Sequence, residues 1–219
     1  MKYLVFIILW IVPALLLAQK GVVNNGAIIT VDNGAYIKIE GDATTGFQNL
    51  SDGSNHGQVD LNGEIHVNGF FKNDATSGGA FINHNGTGAL VFSGTGAHTL
   101  GGALPVDVEN VQLIGGGDVT LTNDLTVSNQ IYFDAGSIIL DQNNLFFEAS
   151  AVVGGTPSAS SMLIPDNEGY VQHEMTSTGS FTFPIGDNTA TEEYSPVTVN
   201  VTSGTFVAGA YIEASVENS

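Results

Sequence analysis

After residue 18 the apolar positions fall in runs of three to six, separated by clusters of Gly, Asn and Asp, and no segment repeats at the helical period. Early runs are Ala27-Ile28-Ile29-Thr30-Val31 and Tyr36-Ile37-Lys38-Ile39; Glu64-Ile65-His66-Val67, Ala80-Phe81-Ile82 and Ala89-Leu90-Val91-Phe92 follow. Such runs predict the short strands of an all-β protein. Between 111 and 153 they become regular, beginning at Val111, Val119, Leu125, Ile131, Ile138, Leu145 and Val152. Runs three apart are separated by 20 residues (Val111 to Ile131), 19 (Val119 to Ile138), 20 (Leu125 to Leu145) and 21 (Ile131 to Val152). Three short strands per coil of about 20 residues predict a parallel β-solenoid. Leu121, Leu125 and Val127 alternate with Thr120, Thr122 and Thr126, as one buried strand face requires. The strands of a β-sandwich usually recur every 8–12 residues, so the tighter spacing favours the solenoid. Asn123, Asn129 and Asn143 fall at the predicted turns. There asparagine tolerates left-handed backbone angles and can stack as ladders between coils.

Beyond 153 the pattern changes. Gly154-Gly155-Thr156-Pro157-Ser158-Ala159-Ser160-Ser161 is a loop by composition. Residues 170–175, 180–183, 196–201 and 205–214 read as longer strands, with Val197, Val199 and Val201 alternating against Thr198, Asn200 and Thr202. The predicted organisation is a solenoid over 19–153, a Gly/Ser-rich loop over 154–166 and an antiparallel β segment over 167–219, forming a cap or a partial sandwich. A strand ending close to Ser219 predicts an open edge. Ahead of the solenoid, Met1-Lys2 precedes an apolar run over 3–17, broken by Pro13, and Ala18 stands before Gln19. This reads as a secretory signal peptide over 1–18, cleaved after Ala18. The run is short for a spanning helix, so a secreted or outer-surface protein without a membrane span is expected.

Composition narrows the partners. The chain has 219 residues, 22 of them acidic, and four lysines (Lys2, Lys20, Lys38, Lys72); it has no arginine and a formal net charge of −18. From Asn73 onward no cationic side chain occurs. Nucleic acid and anionic lipid need Lys/Arg patches, so neither is an expected partner. There is no cysteine, which removes disulfides, thiolate metal sites and a lipoprotein anchor. The acidic surplus favours solubility.

Candidate chemistry is sparse. Asp187 and Asn188 with Glu192 and Glu193 form the densest acidic loop, a weak calcium candidate because hard cations take oxygen ligands. Asp118, Asp124, Asp134, Asp141 and Asp166 are further oxygen donors. Gly115-Gly116-Gly117-Asp118 resembles one unit of a glycine-rich calcium repeat, but it does not recur. No other cofactor is indicated. His56, His66, His84, His98 and His173 lack metal-ligand spacing and read as surface or turn residues. Asp107 and Glu109, two apart on a predicted strand, are expected on one solvated side. Glycoside hydrolysis needs two facing carboxylates. Polysaccharide lyases on this scaffold generally use a cationic base or clamp, which the solenoid region lacks after Lys72. A non-enzymatic protein is therefore expected. The alternatives are a carbohydrate-active β-helix enzyme, either lyase or hydrolase, and a calcium- or carbohydrate-binding module. Once the leader is removed no tryptophan remains, and Tyr36, Tyr132, Tyr170, Tyr194 and Tyr211 are the tyrosines available for stacking on sugars.

Residues 111–201 also carry motifs in a recognisable order. Leu125-Thr126-Val127-Ser128-Asn129 and Gly136-Ser137-Ile138-Ile139-Leu140 lie in the coils, and Gly169-Tyr170-Val171-Gln172 follows the Gly/Ser loop. Then comes Gly179-Ser180-Phe181-Thr182-Phe183-Pro184-Ile185-Gly186-Asp187, and after a short loop Tyr194-Ser195-Pro196-Val197-Thr198-Val199. The stretch resembles exported adhesin-like β-solenoid surface proteins of Bacteroidetes, commonly delivered by the type IX secretion system. The resemblance implies extension and display at the cell surface, with surface glycans or other extracellular proteins as partners, besides the export machinery. It implies no catalytic residues. The small terminal sorting sandwich common in that family is not seen in this sequence.

Overall fold

The structure is a computed structural model that describes residues 21–82 and 84–217; the leader read over 1–18 lies outside the described residues. The described chain is all β, a parallel solenoid of about six turns followed by antiparallel hairpins. Coil 1 holds β1 (Gly21–Asn25), β2 (Ile28–Val31) and β3 (Tyr36–Ile39). Coil 2 holds β4 (Gly46–Asp52), β5 (Asn55–His56), β6 (Gln58–Leu61) and β7 (Glu64–Val67); coil 3 holds β8 (Phe70–Asn73) and β9 (Ala89–Phe92). Coil 4 has β10 (His98–Gly101) and β11 (Val106–Leu113), and coil 5 has β12 (Val119–Leu121) and β13 (Leu125–Phe133). Coil 6 has β14 (Ile138–Ile139), β15 (Leu145–Phe147) and β16 (Val152–Gly155). Next come β17 (Leu163–Ile164) and β18 (Val171–Glu174). The closing elements are β19 (Gly179–Phe183), β20 (Gly186–Asp187), β21 (Glu193–Tyr194), β22 (Val197–Val201) and β23 (Tyr211–Ala214).

The strands stack into three faces. The first runs β1-β4-β8-β10-β12-β14-β17, all parallel. The second begins as β2-β6 with a bridge to Phe81, and is taken up by the first halves of β11 and β13, then β15 and β18. The third holds β3, β7, β9, the second halves of β11 and β13, and β16. β11 and β13 turn the corner between two faces as continuous strands, and their pairing shifts register between Val108 and Asn110. Inward residues stack in columns: Phe47, Phe71, Leu100 and Leu121 on the first face, and Ile65, Leu90, Val111 and Ile131 on the third. All eight are fully or almost fully buried, so one continuous apolar core runs along the axis.

The spacing read from the sequence corresponds to real registers. Val111 pairs with Ile131, Val119 with Ile138, and Leu125 with Leu145. The fourth spacing is off by one, because Ile131 pairs with Val153 and Val152 is half exposed. The early coils are longer than 20 residues. Phe47 pairs with Phe71 and Phe71 with Leu100, 24 and 29 residues apart. The β4–β5 hairpin adds length at a corner of coil 2, and in coil 3 residues 74–79 lead into the second-face bridge of Phe81. Past 153, β17 pairs in parallel with β14, and β18 with β15; these strands lie in the ranges read as loop and antiparallel segment.

Side chains at the corners bond coil to coil. The three turn asparagines are not left-handed: the positive-φ residues other than glycine are Asp141, Asn167, Glu168 and Ala190. Asn123 donates instead to the Gly102 carbonyl (3.2 Å), Asn143 to that of Leu121 (3.0 Å) and Asn129 to the Asn110 side chain (2.7 Å). A three-rung column of asparagines occurs elsewhere, inside the first face. Asn24, Asn49 and Asn73 are buried in register, and Asn24 Nδ2 donates to Asn49 Oδ1 (3.1 Å). One corner is built of glycine. A Cβ on Gly117 would collide with the carbonyl of Gly96, and one on Gly136 would meet that of Gly117.

Candidate functional site

The acidic residues divide by their use. Many accept backbone N–H groups from a neighbouring coil. Asp118 Oδ1 accepts from Ser137 (2.8 Å) and Asp124 Oδ1 from Asn144 (2.8 Å). Asp166 Oδ1 accepts from Asp141 (3.1 Å), and Asp141 Oδ1 from the Asn167 side chain (2.9 Å). Asp74 accepts the Ala103 N–H (2.9 Å) and the Gln48 amide (2.7 Å). These carboxylates close corners whose donors would otherwise lack partners.

Asp107 and Glu109 do not share a side. Asp107 is exposed and Glu109 is buried, because the register shift at the corner rotates the strand between them. Both Glu109 carboxylate oxygens accept backbone N–H groups of the previous coil, from Gly86 and from Gly88 (2.9 Å). The adjacent Asn110 donates to the Gly88 carbonyl (2.8 Å). The pair expected on a solvated side is thus one surface acid and one buried corner brace.

The acidic loop forms a small hairpin. β20 and β21 pair antiparallel, with Asp187 opposite Glu193 and Gly186 opposite Tyr194. Asp187 Oδ1 accepts the Thr189 N–H (2.7 Å), which turns the chain into the loop that carries Asn188 and Glu192. Directly opposed like charges oppose the pairing rather than strengthen it. Among the described residues no three acidic or histidine side chains are grouped to hold a metal ion. The two motif halves quoted above meet here. The Ser195 N–H donates to the Ile185 carbonyl (2.9 Å), and Phe183 pairs with Val197.

Two histidines depart from the surface reading. His98 is buried; its Nδ1 accepts the Gly69 N–H (3.1 Å) and its Nε2 donates to the Gly94 carbonyl (3.2 Å), so the ring ties one coil to the next. His173 is buried on the inner side of β18. Burial holds its ring below the ordinary imidazole range, opposed in part by the Ala151 backbone and by Glu174.

One outer surface collects binding chemistry. Asp107, Thr126, Phe146, Gln172 and Glu213 occupy a single register line on the second face. Phe146 meets Tyr170 edge to face, with centroids 5.9 Å apart. A hollow of about 180 Å³ is lined by Thr126, Phe146, Glu148, Gln172, Glu174 and Tyr211. A second, of about 540 Å³, is lined by Glu168, Tyr170, Glu213 and Glu217 among others. Burial raises the Tyr170 phenol above its ordinary range, and the negative charges of Glu213 and Asp124 add to the shift, with a smaller contribution from Tyr211. Tyr170 and Tyr211 were legible as stacking candidates. Phe146 was not, although its place between buried Leu145 and Phe147 marks it as the outward residue of that run. Aromatic rings beside amide and carboxylate groups suit stacking and hydrogen bonding to a saccharide.

Compared with known proteins, the chain matches no family model, no curated protein and no solved structure.

Proposed function

We propose that the chain is the solenoid part of an exported, non-enzymatic, adhesin-like surface protein, whose role is extension and display. The observation that supports this most is the use of its polar groups. Asp74, Glu109, Asp118, Asp124 and Asp166 hold one coil to the next and do not converge on a reacting centre. A stack of coils lengthens without a new core design, which suits a spacer. The leader and the motif resemblance supply the exported, cell-surface part of the reading, with glycans or extracellular proteins as the contacts made by the outer surface. The test is to express the full chain with its leader in a Bacteroidetes host. Cell-surface labelling, with no product released from a polysaccharide panel by the purified protein, is the expected result. Retention inside the cell contradicts the export part, and reducing ends or unsaturated products contradict the non-enzymatic part.

A second reading is a carbohydrate-active protein. Glu148 and Glu174 follow the paired residues Phe147 and His173 on neighbouring strands and line one hollow with Phe146 and Tyr211. Two carboxylates are the minimum a glycosidase usually requires, and the aromatic rings beside them would suit a sugar. The same polysaccharide panel decides it, with Glu148→Gln and Glu174→Gln as the variants that abolish any activity found.

A further inference from the structure

A buried histidine lies where the antiparallel cap meets the last coil. His173 lies on β18, the last parallel strand of the second face, with its Cα partnered to Phe147 below and to Ile212 of β23 beyond. Its ring stacks on Phe181 of β19, centroids 3.9 Å apart at 31°, and Phe147 lies 6.4 Å away and 5.2 Å from Phe181, so the three rings form one cluster. Phe181 in turn meets Phe183 edge to face at 4.9 Å. The residue is 6 % exposed, and its Nδ1 has no hydrogen-bond partner. A hollow of about 190 Å³ between the 149–152 turn and the 176–180 loop opens beside it and offers a route for protons from solvent.

The cap itself is weakly held. Among the described residues β22 pairs with β19 alone and β23 with β18 alone, both strands are largely exposed, and the tie to β17 is a single bridge, in which the Leu163 N–H donates to the Pro184 carbonyl (2.9 Å). Phe181, Phe183 and Ile185 are its buried anchors. Elements with so few buried contacts open before the core does.

We propose that this junction is an acid-sensitive latch: protonation of His173 frees β19, β22 and β23 from the last coil while the coils beneath stay stacked. Protonation adds a second N–H to a ring with an orphaned nitrogen, and places a charge against a buried cluster of two phenyl groups. The groups facing it are Phe147 from β15, Phe181 from β19, Ile212 from β23 and the Ala151 backbone from the turn. Glu174 is the charged group that attracts the proton, and burial outweighs it. Glu148 lines the outer hollow, and Glu213 and Tyr211 flank Ile212 on the exposed side of β23. The closed latch therefore binds a proton more weakly than the open one. Closure is fully favoured above the ordinary histidine value of about 6.5 and is lost progressively as the pH falls below it, by at most about tenfold per pH unit for one proton.

The test is hydrogen exchange on the full chain, corrected for intrinsic rates, at about pH 7.5 and about pH 5. Amides of β19, β22 and β23 should lose protection at the lower pH while those of β9, β11 and β13 keep theirs. In His173→Phe the loss should vanish. Unchanged protection of the cap at low pH, or the same loss in His173→Phe, overturns the proposal. Should His173→Phe not fold, the ring resonance of His173 in the natural chain serves instead. It should titrate below the ordinary range with the same midpoint as the cap amides, and a ring that titrates while the cap stays protected overturns the latch.

Discussion

Phe47 and Phe71 stack nearly parallel, ring centroids 5.2 Å apart at 7°, one on each of two successive coils. Phe81 extends the stack, 5.2 Å from Phe71 at 16°. The column shows how this fold is held: equivalent inward positions of neighbouring coils touch, so each coil completes the core of the one before it. Phe71 is fully buried in the middle of that column. Phe71→Ala should destabilise the early coils by about 3–5 kcal/mol, the usual range for an emptied phenylalanine site. Urea denaturation followed by far-UV circular dichroism measures it, and a loss below about 1 kcal/mol contradicts the packing described.

The glycine corner makes a sharper prediction from two similar residues. A Cβ on Gly117 would strike the carbonyl of Gly96, whereas one on Gly96 would meet nothing within 4 Å. Gly117→Ala should lower the melting temperature strongly or prevent folding, and Gly96→Ala should leave it nearly unchanged. Equal effects would mean that the corner is not built as described.

Glu109 and Asp107 offer a second contrast. Glu109 accepts two backbone N–H groups from the previous coil, while Asp107 is exposed near His84 (4.0 Å). Hydrogen bonds to a charged group contribute about 1.5–3 kcal/mol each. Glu109→Ala should therefore cost about 3 kcal/mol or more, and Asp107→Asn less than about 0.5 kcal/mol. Chemical denaturation of the two variants beside the natural chain checks both values.

Tyr170 gives a pH dependence at the alkaline end. Its phenol is raised by burial first, then by Glu213 and Asp124. The unfolded chain therefore loses that proton before the folded chain does. The contribution to stability is whole below the ordinary tyrosine value of about 10 and is lost as the pH rises through the folded-state value. Burial also raises the Tyr194 phenol, so phenolate absorbance should show a late-titrating component that is reduced, not abolished, in Tyr170→Phe. A late component undiminished in the variant would contradict the assignment.

How far the sequence discloses this structure depends on where information about inward positions is stored. Val111, Val119 and Leu125 could be matched to Ile131, Ile138 and Leu145 because short corners keep the period near 20. Val152 and Val153 look alike in sequence, and only the register tells which one faces inward. In the early coils, added length such as residues 74–79 separates Phe71 from Leu100 and hides a column that is intact in space. The burial of Glu109 depends on a strand bending round a corner, which alternation along a straight strand cannot reveal. His173 was legible as a histidine, but its clustering with Phe147 and Phe181 joins segments from three strands. The outer surface was legible in part. Tyr170 and Tyr211 were visible as aromatics, and their meeting with Phe146, Glu148 and Glu174 required the stacking of β15, β18 and β23.

The account rests on parallel stacking of coils in one register, and the cysteine-free chain allows that to be measured directly. Thr120 and Ile139 are register partners on adjacent strands of the first face, whereas Phe146 belongs to the second. In the double variant Thr120→Cys with Ile139→Cys, a short thiol crosslinker should link the two positions within one chain rapidly and almost completely. In Thr120→Cys with Phe146→Cys it should not. Linkage of the second pair in preference to the first would contradict the solenoid, and with it the reading of this chain as a spacer built from repeated coils.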